Sequence, residues 1–326
     1  MTALPAEIQT QYEALQSAVG IAPCKDRTQI ELTGKDRVSF LHGFCTNDIQ
    51  RLNPGQGCEA FFTDVQGKTI GFANIFCEMN RLVVETAAGQ AEHIIKALDR
   101  FLIREDVQLI DRTESWREFR VAGPAAARTI EQVFGVEIKL EPRHHLRCQW
   151  QGQELAVRRV DYTSQPDFLI AIETSDWQAC WDAFGAAAAV PCSESALEIA
   201  RIEAGTPNFG VDITDANLPQ EVDRNATAIS FTKGCYLGQE TVARIDALGH
   251  VNRLLRGVRM VSSEIPPRGT EFVRDDKFVA RVTSACWSYK LQAPLALAYV
   301  RREFSSPGSR LESPHGEAEV VALPLG

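Results

Sequence analysis

KGCYLGQE, residues 233–240, places a cysteine between two glycines. Glycine accepts positive φ angles and close approach of other backbone. Cys235 is therefore expected on a sharply bent loop between Gly234 and Gly238, outside any helix or strand. Lys233 precedes the cysteine by two residues and can favour its thiolate, which is the reactive form. These residues are called the signature loop below.

A short helical pattern follows. Gln239 and Glu240 open it, the run TVARIDAL continues it, and Gly249 ends it. A simpler interpretation stays open, in which Cys235 is buried and unreactive and Glu240 pairs with Arg244 at i, i+4.

All eight positions of the signature loop resemble the pattern of the YgfZ-type folate-binding proteins. That pattern reads Lys-Gly-Cys, an aromatic residue, any residue, then Gly-Gln-Glu. Those proteins are related to the aminomethyltransferase, or T-protein, of the glycine cleavage system. They are associated with the upkeep of iron–sulfur enzymes, including enzymes that modify tRNA.

The size and composition of the chain are those of a globular protein. Its 326 residues suffice for two or three domains, with 44% apolar and 24% charged residues. No apolar run approaches the roughly 18 residues of a membrane span, and the N-terminus is polar and acidic. We expect a cytoplasmic protein without a membrane partner.

The cysteines argue against a disulfide framework and against a local metal site. They are nine in number, scattered, and never in a CxxC pair. Most lie in apolar runs and are expected to be small core residues. They are Cys24, Cys45, Cys58, Cys77, Cys148, Cys180, Cys192, Cys235 and Cys286.

The net charge of −9 makes direct nucleic-acid binding unfavourable over most of the surface. A local basic strip is the exception, and it suits a small anion such as the glutamate tail of a folate. A solvated surface patch is equally compatible with it. The strip consists of Lys233, Arg244, Arg253, Arg256 and Arg259.

Hydrophobic periodicity predicts two similar α+β lobes. The first reads strand, helix, three strands, helix, strand, from TQIELTG (28–34) to DVQLID (106–111). The second repeats this order from SWREFRVAG (115–123) as far as the helix SDWQACWDAF (175–184). Two ferredoxin-like lobes, roughly 24–112 and 113–249, are the economical interpretation.

The remaining segments differ in character. Residues 1–23 are expected to form a short helix and an irregular arm, and a helix is expected in SESALEIARIEAG (193–205). The long irregular stretch 208–235 is expected to be functional, because loops of that length are uncommon. Five short β-type runs after residue 249 predict a small β-barrel, so we expect domains at 1–249 and 250–326.

Four further fragments resemble the same family in the same order. They are HGFCTNDI (42–49), RIEAG (201–205), NLPQE (217–221), and VTSACWS (282–288) with LALAYV (295–300). The resemblance implies a three-lobed ring with tetrahydrofolate in its central opening. The lining that it implies consists of Asn47, Asp48, Tyr162, Arg201 and Glu221, and of Gly234, Tyr236, Gly238, Gln239, Glu240 and Arg244 near or in the signature loop.

The chemistry of these groups suits a folate. A carboxylate such as Glu221 can accept hydrogen bonds from the amide and amino edge of a pterin, and the glutamate tail needs a cation such as Arg201 or Arg244.

The chain departs from the aminomethyltransferases at two places. Their Asp-Asp pair corresponds here to GKTIGFAN (67–74), which has no carboxylate, and their Phe-Glu corresponds to Phe168-Leu169. Without these acids, proton transfer at the folate nitrogen has no obvious side chain to perform it. The departures therefore speak against glycine-cleavage activity and leave open whether the chain is an enzyme.

Three functions are weighed. The leading hypothesis is a tetrahydrofolate-binding protein that supports assembly or repair of iron–sulfur clusters, with iron–sulfur enzymes or their assembly factors as partners. In it, Cys235 would be the reactive thiol and Lys233 would tune it. The alternatives are a folate-dependent one-carbon transferase that uses Asp48, Asp64 or Glu221 as its acid, and a cofactor-free binding scaffold.

Overall fold

The computed structural model describes residues 5–25 and 27–326, apart from the side chain of Leu248. The chain begins with helix α1 (Ala6–Ser17) and strand β1 (Gly20–Pro23). Strand β1 pairs antiparallel with a strand of the second α+β unit, where Ile21 lies opposite Val121. The expectation of an irregular arm is therefore wrong, because four residues are too few to show an alternation.

The first α+β unit is a five-stranded antiparallel sheet, in the order β3-β4-β5-β2-β6, with two helices. Its apolar core includes Ile30, Ile75 and Ile94. The predicted order of elements is confirmed. In chain order they are β2 (Arg27–Thr33), α2 (Arg37–His42), β3 (Gly57–Thr63), β4 (Thr69–Cys77), β5 (Leu82–Ala87), α3 (Ala91–Asp99) and β6 (Gln108–Asp111).

The second unit repeats this order, and β1 inserts into its sheet. The strand order is β11-β1-β7-β10-β9-β8, and only the β1–β11 pair is parallel. Phe119, Ile170 and Phe184 lie in its core. Its elements are β7 (Trp116–Ala122), α4 (Ala126–Phe134), β8 (His145–Trp150), β9 (Gln153–Val160), β10 (Asp167–Glu173), α5 (Trp177–Ala186) and β11 (Val190–Pro191).

Helix α6 (Glu194–Ala204) joins the units to the rest of the chain. The Ser193 side chain caps its first turn, and Gly205, with a φ of 73°, ends it. Glu203 on α6 accepts hydrogen bonds from Tyr12 of α1 at 2.5 Å and from Ser288 of the barrel at 2.6 Å. Helix α6 is thereby fixed between the N-terminal helix and the C-terminal barrel.

The segment after α6 is mostly irregular, as expected. It contains a 3-10 helix (Pro219–Val222) and the short helix α7 (Asn225–Ala228). Helix α8 (Gln239–Leu248) follows the signature loop and ends at Gly249, whose φ is 76°. The predicted short helix with a glycine stop is confirmed.

The C-terminal part is a closed six-stranded barrel in the order β12-β15-β14-β13-β16-β17. Five of its strands were expected, and β16 adds a sixth as half of a hairpin with β17. The α+β class with a C-terminal barrel is confirmed. The strands are β12 (Arg253–Met260), β13 (Glu271–Arg274), β14 (Lys277–Ser288), β15 (Ala293–Arg301), β16 (Arg310–Ser313) and β17 (Gly316–Val321). Among the described residues, no helix combines the length and apolar character needed to cross a membrane.

Candidate functional site

Lys233 holds the signature loop against the end of α2 and the chain that follows it. Its ammonium donates to the carbonyl oxygens of His42 and Cys45, both at 2.6 Å, and of Asn47 at 2.9 Å. Lys233 is 7% exposed, and burial lowers the pKa of its ammonium. An ammonium has three donors, and all three are used here. The structure does not support the predicted action of Lys233 on Cys235, because no donor is left for a thiolate.

Gly238 allows the signature loop to pack against the turn between β3 and β4. Its φ is +83°, and a Cβ there would lie 2.4 Å from the carbonyl oxygen of Asp64 and 2.8 Å from Thr63 Oγ1. Thr63 in turn donates to the carbonyl oxygen of Leu237 at 2.5 Å. The expected sharp bend is confirmed, and its backbone contact admits no side chain at Gly238.

Cys235 presents an exposed side chain, and the neighbouring Gly234 is exposed as well. All nine cysteines lie in the described residues, and the other eight are buried or half-buried. The alternative of a buried Cys235 is therefore wrong, and Cys235 is the thiol that solvent-borne reagents reach most readily.

The other residues of the signature region divide into core and surface. Tyr236 is buried, and its ring centroid lies 4.9 Å from Lys233 Nζ. Gln239 is half-buried, whereas Glu240 and Arg244 are exposed. Within the described part of the chain, Glu240 and Arg244 form no ion pair. Their roles toward a folate stay predictions.

Asn47 and Asp48 hold loops together. The Asn47 amide donates to the carbonyl oxygens of Glu59 and Thr227, both at 2.8 Å, and accepts from the Asp48 N–H. The Asp48 carboxylate lies 3.0 Å from Arg51 Nε. Because these contacts are internal, the structure gives both residues a loop-ordering role, and their predicted contact with a ligand stays a prediction.

A cavity of about 440 Å³ lies between the two α+β units and α6, and is called the central cavity below. Tyr162 and Arg201, which the family resemblance implied, both line it. Its volume falls within the range of sites for small organic ligands. The other charged and polar side chains on its wall belong to Lys25, Arg27, Arg120, Glu194, Ser195, Glu198 and Asn208.

The Tyr162 hydroxyl is fully engaged in the wall. It donates to Glu85 at 2.7 Å and accepts from Arg27 at 2.8 Å and Asn74 at 2.6 Å. The guanidinium carbons of Arg27 and Arg120 lie 5.1 and 5.2 Å from its ring centroid. Burial raises the pKa of Tyr162 well above its usual value. Tyr162 is therefore a neutral phenol whose hydroxyl has no donor left for a ligand.

Arg201 is equally committed to internal partners. Its five N–H donors go to Glu198, to the Thr206 carbonyl oxygen, to Asp212 at 2.7 Å and to Ser284 at 3.1 Å. Arg201 is 4% exposed. The structure therefore does not support the predicted use of Arg201 for the folate tail.

Each arginine of the wall is paired with a carboxylate behind it. These carboxylates are almost completely buried, so the charge of each arginine is compensated within the protein. The pairs are Arg27 with Glu85, Arg120 with Asp167, and Arg201 with Asp212.

Glu221 and two arginines of the basic strip are also engaged in ion pairs. Glu221 accepts from Arg253 at 2.9 and 3.1 Å and from the Leu218 N–H at 3.2 Å. Arg256 donates to Asp223 at 2.5 Å. Glu221 is not among the described residues that line the central cavity. The structure therefore does not support Glu221 as the pterin acceptor, and two of the five cations of the strip, Arg253 and Arg256, are paired with carboxylates.

The positions where the aminomethyltransferases carry acids offer none here. The run 67–74 has no carboxylate, and Leu169 is fully buried in an apolar cluster. Asp64, one of the candidate acids, accepts from the N–H groups of Gln66 and Lys68, both at 2.9 Å. Asp64 thus stabilises the turn between β3 and β4.

Sequence reasoning missed five charged residues of the central cavity. For Glu194 and Glu198 a signal existed, because with Arg201 they stand at i, i+4 and i+7 and share one face of α6. The sequence carried no signal for Lys25, Arg27 and Arg120. These residues come together because β1 pairs with β7, and that pairing could not be predicted.

Two family profiles match the chain. The profile described as the GCVT N-terminal domain matches residues 2–233, and that of the glycine cleavage T-protein C-terminal barrel domain matches residues 253–325.

Curated relatives extend over nearly the whole chain. An aminomethyltransferase of Nostoc sp. is 28% identical over 318 residues, covering 94% of this chain and 83% of its own. An aminomethyltransferase of Geobacillus kaustophilus is 25% identical, and the match covers 98% of this chain and 90% of that protein. A putative chloroplastic transferase of Arabidopsis thaliana is 25% identical, and the match covers 91% of this chain and 68% of that protein.

The fold is also that of a solved structure. The glycine cleavage system aminomethyltransferase T of Bartonella henselae superposes with a TM-score of 0.89, at 18% identity, over 97% of this chain and 89% of its own. The two α+β units correspond to the N-terminal profile match, and the closed barrel corresponds to the C-terminal one. The chain belongs to the glycine cleavage T-protein family, with its N-terminal GCVT domain and its C-terminal barrel domain.

Proposed function

We propose that the chain binds a tetrahydrofolate in the central cavity and takes part in the transfer of a one-carbon group. The observation that carries this proposal is the central cavity itself, about 440 Å³ in volume and lined by polar groups of both α+β units and α6. Relatives named aminomethyltransferase are similar to this chain along almost all of its length. Their names favour this hypothesis over iron–sulfur maintenance.

The side chains that line the central cavity are of the chemical types that a folate needs as partners. The N–H groups of a pterin need acceptors, which the carboxylates of Glu194 and Glu198 supply. The anionic tail needs a cation, and Lys25 is exposed. Among the described residues Lys25 has no ion-pair partner, unlike Arg27, Arg120 and Arg201.

The bound cofactor would supply the nitrogen that carries the one-carbon group. The chain would supply a rigid wall, since Tyr162 and the paired arginines are held from behind. The described carboxylates that line the cavity are Glu194 and Glu198. Proton transfer at the cofactor nitrogen would therefore fall to one of these two, because positions 67–74 and 169 carry no acid.

The test combines binding with chemistry. The purified chain is incubated anaerobically with tetrahydrofolate and an aminomethyl donor, and formation of methylene-tetrahydrofolate and ammonia is followed. We expect saturable folate binding and product that increases with protein concentration. Folate binding without product would reject the transferase part of the proposal and leave a folate-binding protein.

A second candidate function is support of iron–sulfur enzymes, and the exposure of Cys235 favours it. A reachable thiol in a loop that resembles the YgfZ-type signature could contact a cluster, an assembly factor or a client enzyme. Cys235→Ser would then preserve folate affinity and lose support of iron–sulfur enzymes in a strain that lacks the chain. Full complementation by that variant would remove Cys235 from the function.

Location and other partners stay predictions from the sequence. They are a cytoplasmic location and weak direct binding to nucleic acid, the latter from the net charge of −9. Absence of any folate binding would revive the scaffold hypothesis.

A further inference from the structure

Charge balance singles out one carboxylate of the central cavity. Arg201 carries one positive charge and contacts two carboxylates, those of Asp212 and Glu198. Asp212 is 1% exposed and lies behind the wall, where it also accepts from Ser284 at 2.7 Å and from Thr283. Asp212 therefore neutralises Arg201, and the charge of Glu198 is in excess.

The geometry of Glu198 directs this excess charge to the central cavity. Arg201 Nε donates to Glu198 Oε2 at 2.8 Å, and Arg201 Nη2 donates to Oε1. A carboxylate offers about four acceptor positions, so this two-point contact leaves part of its capacity unused. The Glu198 side chain is 40% exposed, whereas that of Arg201 is 4% exposed. Glu198 is thus held rigidly from one side and is open on the other.

No competing acceptor of this kind exists among the described residues of the wall. The carboxylates of Glu85 and Asp167 lie behind it, each paired with an arginine. Glu194 lines the central cavity but is exposed at the start of α6, and no hydrogen bond fixes its side chain in the described structure. Glu198 is the carboxylate there that is both fixed and accessible.

We propose that Glu198 accepts the N–H groups of the amino-pyrimidinone edge of a bound pterin, with Arg201 as its positioning residue. This inference rests on the proposed function and adds to it the residue that recognises the heterocycle. Arg201 then acts through Glu198: two of its N–H donors orient the Glu198 carboxylate, and the other three hold Arg201 itself in place.

The test measures affinity and uses no turnover. Binding of 5-formyltetrahydrofolate is measured by calorimetry for the wild type, Glu198→Gln and Glu198→Asp. Glu92→Gln on α3 is the matched control, because Glu92 is an exposed helical glutamate outside the cavity. A second ligand, the analogue with methyl in place of the 2-amino group, completes a double-mutant cycle. Melting temperatures report on folding of each variant.

For Glu198→Gln we expect affinity for 5-formyltetrahydrofolate to fall about 10- to 100-fold, the usual effect of a hydrogen bond to a charged group. Glu198→Asp should recover part of that loss, and Glu92→Gln should match the wild type. The analogue should bind the wild type more weakly, while Glu198→Gln should discriminate little between the two ligands.

Two results would overturn the inference, and they differ. If the wild type binds and Glu198→Gln binds within about twofold of it, Glu198 is not the acceptor and the proposed function stands. If the wild type does not bind 5-formyltetrahydrofolate at all, the proposed function and this inference are rejected together. Should Glu198→Gln not fold, Glu198→Asp and the ligand pair on the wild type decide in its place.

Discussion

Two cations that the sequence assigned to the functional site, Lys233 and Arg201, are occupied by contacts within the chain. Lys233 donates to three carbonyl groups, and Arg201 uses all five of its N–H groups. The residue type and its place in a motif do not reveal such contacts. The His42 carbonyl that receives Lys233 lies 191 positions away in the sequence. A bent loop around Cys235 could be predicted locally, but the orientation of Lys233 could not.

Lys233→Met should therefore affect stability and leave the thiol unaffected. Three carbonyl groups lose their donor, which should cost about 2 kcal/mol or more in the free energy of unfolding. Alkylation of native Cys235 by iodoacetamide should proceed at the wild-type rate, with Cys235→Ser as the labelling control. Alkylation slowed by an order of magnitude at unchanged stability would restore Lys233 as the residue that activates the thiol.

Lys25 should select for the folate tail. It is the exposed cation of the central cavity for which the described structure shows no carboxylate partner. Lys25→Ala should weaken binding of a triglutamate folate more than that of the monoglutamate, because only the longer tail carries extra charge. Titrations of both ligands at two salt concentrations check this. An equal effect on both would place the tail elsewhere.

Among the elements, those with a clear hydrophobic period or a glycine stop were predictable, and three short strands were not. Both α+β units, α6 and α8 follow from hydrophobic spacing and glycine stops. Strands β1, β11 and β16 have only two to four residues each and exist because a neighbouring strand pairs with them. The residues that follow β1 line the central cavity. Because β1 was not predicted, Lys25 and Arg27 could not be assigned to that cavity from the sequence.

The two glycines that bound α8 provide a matched test of the loop packing. Both have positive φ, 83° at Gly238 and 76° at Gly249. A Cβ at Gly238 would lie 2.4 Å from the Asp64 carbonyl oxygen, whereas one at Gly249 would meet nothing within 4 Å. Gly249→Ala should cost about 1 kcal/mol in the free energy of unfolding. Gly238→Ala should cost about 3 kcal/mol, because the turn must also move.

Urea unfolding of both variants measures this difference. Equal losses would mean that the signature loop does not pack against the β3–β4 turn as described.

In the whole molecule, buried charged side chains connect the two α+β units through hydrogen bonds and ion pairs. Arg158 of β9, 1% exposed, donates to Gln29 of β2 at 2.8 Å and to Glu118 at 2.7 Å. Glu59 of β3 joins three segments, since it accepts from Arg143 and from Arg224, each at 2.8 Å. The sequence predicted two units but not this contact, because isolated charges within strands resemble solvent-facing residues.

Glu59 makes stability depend on pH in a defined window. Burial acts to raise the pKa of Glu59, but the guanidinium groups of Arg224 and Arg143 outweigh it and lower the pKa to about 2. A carboxyl whose pKa is depressed on folding stabilises the protein above its unfolded pKa. That stabilisation is lost as pH falls toward the folded pKa. The window therefore runs from about pH 4.5 down to about pH 2.

Glu59→Gln should destabilise the protein by about 3 kcal/mol at pH 7, because two arginines lose their buried partner. The difference from wild type should shrink as pH falls through that window. Urea unfolding across the pH range measures it, with Glu92→Gln as a surface control. A difference that stays constant down to pH 2.5 would show that ionisation of Glu59 is not what stabilises the contact.

The central claim is that the central cavity holds a reduced folate, and calorimetric titration with 5-formyltetrahydrofolate tests it most directly. The pair to compare is the wild type and Ser195→Phe, since Ser195 is an exposed lining residue and a ring there would occupy the cavity. We predict saturable binding of one ligand per chain to the wild type and a loss of about tenfold or more in Ser195→Phe. No binding to the wild type, or equal binding to both proteins, would contradict the account.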